Sequence, residues 1–589
     1  MPENTFQRMK TIFKSSLFKG PETISSKSIA TENRIFRRPD NLPDWKGLLA
    51  TEPELWADAK RRTENGPAVL LAPNIGGHGP VVVVESLLAV ALTLRGARVH
   101  TLLCDAALPA CMQAQIGANV VPEALVDRTI RETLCAPCMK RGQNVFSQLD
   151  VKHHRLSEFL DEQDRIEARE LAFSVNPSEM TQFRWQGLAV GEHALAGALR
   201  YFAKGTLNSN DTTEVEVAKR YLEASILSAI ATKRLILQEK VQHAAFHHGI
   251  YVPQGIVGEV CRAHDVHLAN WVVAYRQNTL IFSHGDTYHR TLMNEPTDMW
   301  RNMTWSETQQ RSIEDYLGSR VHGGRDWIYF HDKPNDDFNS FAKQVGMDPD
   351  KPIIGMLTNV FWDAQLHYRQ NAFPNMLEWT LDTINYFRGR PDLQLLIRIH
   401  PAEIRGAVKS RQLLADEIAK AIPDLPENVF IIGPESDVST YAAMQKCNAV
   451  IIYGTKTGVE LTSIGIPVIV AGEAWIRNKG LTTDIKSRNE YLQVLDGLPL
   501  QQRLDPLTIE NAKKYAFHFF FRRMLPLPFL HPMPKGPNFY IELATLSDLM
   551  PGKHEGLDII CDGILNAEHP FVYPAEISGI HDAEINSNA

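Results

Sequence analysis

The stretch that most constrains what this chain can fold into is residues 449–471, AVIIYGTKTGVELTSIGIPVIVA. Five apolar-rich positions run into the small, hydroxyl-rich turn Gly454-Thr455-Lys456-Thr457-Gly458. A helical pattern then begins near Val459, and Gly465-Ile466-Pro467 precedes a second apolar run. Short apolar runs bounded by glycine and proline read as buried strands, and strand–turn–helix–strand is the repeating unit of a parallel α/β sheet. Glycine allows close backbone approach, and amides at a helix start attract phosphate oxygens. Glu460, in the first turn, is placed to accept hydrogen bonds from a ribose diol beyond such a phosphate. The same spacing also fits an ordinary strand–turn–helix with no ligand.

At 589 residues the chain exceeds one hydrophobic core and predicts two to four domains. A net charge of −8 argues against nucleic acid as a partner, which needs a basic field. No apolar run is long enough to span a bilayer, and Lys10, Lys14 and Lys19 interrupt any secretory leader. Seven cysteines, an odd and sparse set, fit reduced thiols and a cytoplasmic location. Phe6, Met9, Phe13 and Leu17 recur at helical spacing among Arg8, Lys10 and Lys14. They predict either a packed helix or a basic amphipathic one at the inner face of the cytoplasmic membrane.

The first α/β unit opens with the apolar run 68–72 and the loop Pro73-Asn74-Ile75-Gly76-Gly77-His78-Gly79-Pro80. An apolar helix over 81–94 and a second strand at 99–104 follow. Residues 150–245 read as a helical insertion in this unit, and α/β character returns at 247–275. A polar hinge at 332–352 leads to the second unit, with strands at 353–357, 393–399, 429–432, 449–453 and 468–471. The expected organisation is an N-terminal extension (1–65), a first Rossmann-like domain (66–340), a second (341–500) and a tail (501–589). The last helix of that tail should cross back onto the first domain.

Ligands in such sheets sit beyond the carboxyl ends of the strands. Three loops of the second unit should therefore converge. They are Leu357-Thr358-Asn359 through Asp363, Arg398-Ile399-His400-Pro401, and the turn from Gly454 to Glu460. A histidine at a strand end can donate to a departing phosphate. The first unit offers His78 as a base to activate an acceptor hydroxyl, with Glu85, His247, His248 and Asp286 as alternatives. Cys104-x6-Cys111 and Cys135-x2-Cys138 form two pairs of soft ligands and a candidate structural zinc site, against the alternative of buried core thiols.

The order Arg398-Ile399-His400-Pro401, Ser439-Thr440-Tyr441, Tyr453-Gly454-Thr455-Lys456-Thr457-Gly458-Val459-Glu460 resembles bacterial capsule and surface-polysaccharide biosynthesis proteins. Among these are the Kdo-transferase-like glycosyltransferases of GT-B fold. Gly465-Ile466-Pro467 and Lys479-Gly480-Leu481-Thr482 extend the likeness. The chain departs from the Kdo-transferase pattern in carrying threonine rather than serine in the turn, and Asn478-Lys479 before Gly480.

The resemblance implies two Rossmann-like domains facing a cleft, with a nucleotide-sugar donor in the second. Thr358, Asn359, Arg398, His400, Thr455, Thr457, Gly458 and Glu460 would bind that donor. His248 and Asp286 are acceptor-site candidates, and the acceptor would be a glycan or lipid-linked glycan. No cofactor is expected for catalysis. A nucleotide-sugar epimerase of the same fold and a non-catalytic assembly or export factor are the alternative readings.

Overall fold

Two sheets, each a run of buried apolar strands, organise the molecule. The computed structural model describes residues 42–115, 120–320, 325–327, 334–533 and 539–578. The amphipathic pattern at 6–17 lies outside the described residues.

The first sheet has seven strands: β1 (Ala68–Asn74), β2 (Arg98–Leu103), β3 (Lys152–Arg155), β4 (His243–His247), β5 (His267–Val273), β6 (Thr279–His284) and β13 (Leu525–Pro526). Their order is β13-β6-β5-β4-β1-β2-β3. The five strands from β5 to β3 are parallel, whereas β6 and β13 join antiparallel. The second sheet, β12-β11-β10-β7-β8-β9, is parallel throughout. It comprises β7 (Ile353–Leu357), β8 (Gln394–Arg398), β9 (Val429–Ile432), β10 (Ala449–Ile452), β11 (Val468–Val470) and β12 (Thr483–Asp484). Strand order reverses between β1 and β4 in the first sheet and between β7 and β10 in the second. A crevice opens beyond the carboxyl ends at such a switch point.

The helix Gly79–Leu94 is apolar almost all round and nearly wholly buried, as a helix sandwiched between a sheet and an outer layer must be. The segment 150–245 corrects the expectation of a helical insertion. It begins with β3, an edge strand of the sheet, and runs directly into β4 at the sheet's centre. Its long helices, Val190–Phe202 and Thr212–Glu239, pack on each other and cover one sheet face. The segment is therefore part of the doubly wound fold.

The helix Pro506–Phe517 packs against the second domain's helix Thr457–Ser463. The chain then returns to pair β13 with β6 and lay the helix Glu555–Leu565 on the first domain.

Candidate active site

A cavity of about 400 Å³ opens at the switch point of the second sheet. Its floor is the set of loops predicted to converge: Thr358, Asn359, Arg398, His400, Thr455 and Thr457 all line it. The loops are tied to one another before any ligand arrives. Thr358 Oγ1 donates to the Arg398 carbonyl at 3.3 Å and accepts from the His400 amide at 3.2 Å, joining the ends of β7 and β8. Asn359 Oδ1 accepts from the Gly454 amide at 3.1 Å and braces the turn after β10. Within that turn the Thr457 amide donates to Thr455 Oγ1 at 3.3 Å, and the two threonine hydroxyls stand 3.0 Å apart.

His400 has its tautomer set by the backbone. The Ala402 amide donates to Nδ1 at 3.0 Å, so the neutral ring carries its proton on Nε2. Burial, helped by Lys456 and Arg398, pushes its pKa down to about 4, so at neutral pH it is an uncharged N–H donor.

Arg398 is spent on structure to a greater degree than the sequence suggests. Its guanidinium donates to the carbonyls of Gly433 and Ser436 and to Thr440 Oγ1, holding the loop between β9 and the helix Thr440–Gln445. Glu460 lies below the cavity at 4% exposure. Oε1 pairs with Arg320 Nε at 3.1 Å and Lys456 Nζ at 3.0 Å, and Oε2 accepts from the Tyr441 hydroxyl. Burial alone would raise this carboxyl, but Arg320 and Lys456 hold it at about 2. Gly458 faces inward: a Cβ there would meet Ile452 Cδ1 at 2.7 Å and Ile476 Cγ2 at 3.0 Å, so it seats the helix Thr457–Ser463 on β10. Neither Glu460 nor Gly458 is among the residues lining the cavity.

Pattern reasoning missed the aromatic wall. Tyr275 and Tyr288 of the first domain line the cavity with Tyr368 and Trp475 of the second, and both pack on Trp475, at ring-centroid distances of 5.5 Å and 5.7 Å. Tyr288 lies in the polar and aromatic segment 283–289, whose density was the available signal. Lys456 sits 4.9 Å from the Tyr275 ring centroid, a cation–π contact made across the domain boundary. Asp363 also lines the cavity and is exposed to it. The Tyr251 hydroxyl, from the first domain, donates to its Oδ1 at 2.9 Å and accepts from the Ala364 amide at 3.2 Å.

The first-domain candidates lie elsewhere. His78, His247 and His248 cluster at the other switch point, beyond β1 and β4, with ring centroids 5.2 Å and 5.5 Å apart in sequence order. Burial holds His78 near 4 and His248 near 3 and keeps all three neutral, and the Nδ1 of each lacks a hydrogen-bond partner. Glu85 lies beneath them with Oε1 accepting from Trp271 Nε1 at 3.1 Å, and burial raises its carboxyl well above the ordinary range. Asp286 pairs with Arg290 at 3.2 Å and accepts from the Thr287 amide at the start of the helix Tyr288–Asn294. None of these side chains lines the cavity at the second sheet.

Cys104, Cys111, Cys135 and Cys138 do come together, around one small cavity beyond β1 and β2, and form no disulfide. No three of their sulfurs lie within 4.8 Å of one another. Among the described residues, three potential ligand atoms within 4.8 Å of one another occur at His100, His154 and Glu239. There Lys152 already supplies the positive charge, at 2.5 Å from Glu239 Oε2.

Two doubly wound domains facing a cleft, with a nucleotide-sized cavity at the second domain's switch point, define a GT-B-like architecture. Residues 309–498 match the family model described as capsule polysaccharide biosynthesis protein, and this segment spans the whole second sheet. The fold is thus GT-B-like, and the similarity to capsule polysaccharide biosynthesis proteins lies in residues 309–498.

Among solved structures, it is similar to the Thermosulfurimonas dismutans KpsC beta Kdo 2,4 transferase (13% identity, covering 49% of this chain and 87% of that one, TM-score 0.30). The beta Kdo 2,7 transferase of the same KpsC gives 12% identity over 54% and 88%, TM-score 0.30. The S. aureus MnaA–UDP co-structure gives 11% over 86% and 100%, TM-score 0.28. No curated protein matches the chain. No helix among the described residues is long and apolar enough to cross a membrane.

Proposed function

We propose that the protein is a glycosyltransferase of surface-polysaccharide assembly. It holds the nucleotide of a sugar donor at the second sheet and passes the sugar to a glycan or lipid-linked glycan at the cytoplasmic face of the membrane. The observation that supports this reading is the convergence of His400, Thr455, Thr457, Thr358 and Asn359 on one cavity of about 400 Å³, within the range of small-ligand sites.

His400 Nε2–H and the Thr455 and Thr457 hydroxyls bind the phosphate and stabilise it as the bond to the sugar's anomeric carbon breaks. The aromatic wall stacks on the flat or apolar faces of the donor. Asp363 is the carboxylate placed in the cleft to take the proton of the attacking acceptor hydroxyl, with the Tyr251 hydrogen bond fixing its orientation. In this reading Asp363 takes the role expected for His78, which does not line that cavity.

Thermal unfolding in the presence of CMP, UDP, GDP and CDP tests the reading. One of them should stabilise the protein, by about 2.7 kcal/mol at a hundredfold excess over its dissociation constant. Stabilisation by none of them, or conversion of a nucleotide sugar to an isomer with no acceptor present, overturns it.

A further inference from the structure

The cysteine cluster plays no part in the proposed transfer. Cys104 follows β2 and Cys111 lies further along the same loop. Cys135 ends a π-helical turn, Arg131–Cys135, and Cys138 sits in the first turn of the helix Ala136–Phe146. Two separate pieces of chain thus bring four thiols to one cavity.

Their spacing decides the chemistry. Four sulfurs around one tetrahedral zinc, at Zn–S distances of about 2.3 Å, stand about 3.8 Å apart. Four cysteine sulfurs around an iron–sulfur cube stand further apart than that, because each caps a different iron. Here no three of the four lie within 4.8 Å of one another, yet all line the same cavity.

Burial pushes all four thiols up, and nearby backbone amides and two arginines offset part of that cost. The Gly77 amide donates to Cys138 Sγ at 3.1 Å. The amides of Ala106, Ala107 and Leu108 offset part of the burial cost at Cys104, and that of Gln113 part of it at Cys111. Convergent backbone amides of this kind recur at iron–sulfur sites, where they stabilise the anionic sulfurs. Arg131 and Arg141 add positive charge near Cys135 and Cys138. Gly77 keeps the loop close, since a Cβ there would press on Cys138 Sγ at 3.3 Å.

We propose that Cys104, Cys111, Cys135 and Cys138 bind an iron–sulfur cluster of the [4Fe–4S] type at the carboxyl edge of the first sheet. On ligation each thiol loses its proton to solvent and forms one Fe–S bond. The dipositive core and four thiolates then make a dianion, which Arg131 and Arg141 face. The cluster would act as a brace. Cys111 and Cys138 pack against Ile75, Met112, Tyr251 and Ala364, and Tyr251 is the residue that holds Asp363.

Iron and acid-labile sulfide are measured on the full-length protein purified without oxygen, then again after incubation with ferrous iron and sulfide. The expected result is about four of each per chain, with a broad absorbance near about 400 nm that dithionite bleaches. Cys135→Ser should lose the iron and sulfide. Cys447→Ser, at a buried thiol of the second domain whose bond to the Ala443 carbonyl a serine can keep, should retain them. Substoichiometric iron in both preparations, or stoichiometric zinc without sulfide, overturns the proposal. If Cys135→Ser does not fold, the wild-type stoichiometry still decides. The readout does not depend on nucleotide binding, so it stands or falls apart from the transferase reading.

Discussion

His400 and Glu460 make opposite contributions although both belong to the quoted motif. His400 faces the cavity with a backbone-fixed tautomer, so His400→Ala should weaken nucleotide binding by about tenfold, the worth of one hydrogen bond to a charged group, and leave the unfolding midpoint nearly unchanged. Calorimetric titration with the stabilising nucleotide measures it. Glu460 is the shared anion of Arg320 and Lys456, so Glu460→Gln should strand two buried cations and cost about 3–5 kcal/mol in urea unfolding. Asp363→Asn removes the proposed base. It should lower turnover by about 10²–10⁴-fold while nucleotide affinity holds, which product formation by the two proteins at saturating donor would reveal. The sequence could mark all three positions as polar and near the carboxyl ends of strands. It could not say that Glu460 is neutralised by a cation 140 residues away, because Arg320 enters from a helix with no motif of its own.

At the scale of elements, the second sheet was legible because each of its strands is an apolar run ended by glycine, proline or a turn. β3 was not. Its residues, Lys152-His153-His154-Arg155, carry no apolar alternation, since an edge strand needs partners on one side alone. Its backbone pairs with β2 and side chains add to that pairing, with His154 Nε2 3.1 Å from His100 Nδ1 and His153 Nδ1 2.8 Å from Thr101 Oγ1. The turn after β10 was read correctly as a convergence point, while its glycine was assigned the wrong partner. Gly458 meets core rather than cavity. Gly458→Ala should therefore overpack Ile452 and Ile476 and destabilise the protein by about 1–3 kcal/mol, read as a lower urea midpoint.

For the whole molecule, the domain seam carries the most consequential contacts. Arg369 pairs with Glu192 at 3.0 Å, Thr287 Oγ1 lies 2.8 Å from His367 Nε2, and Trp475 Nε1 donates to His289 Nδ1 at 3.1 Å. Many of the histidines in this interior are held neutral. Burial keeps His78, His100 and His400 near 4, against an ordinary value of 6.5. In the unfolded chain they take up protons as pH falls through 6.5, and in the folded state they resist down to about 4. Stability should thus be level above neutrality and fall across that window. Urea midpoints at about pH 7.5 and about pH 5 check the direction, and an unchanged or higher midpoint at the lower pH contradicts it.

The polypeptide leaves the first domain after Trp327, whose amide bonds the Tyr275 carbonyl, and is pinned to the second by the Asn335–Val438 bridge. It comes home when Leu525 and Pro526 pair with β6. Two crossings at separate places limit how far the domains can part without breaking backbone pairing. A bulky glycan must therefore reach the cavity past a wall in which the Tyr275 and Tyr288 rings already touch Trp475.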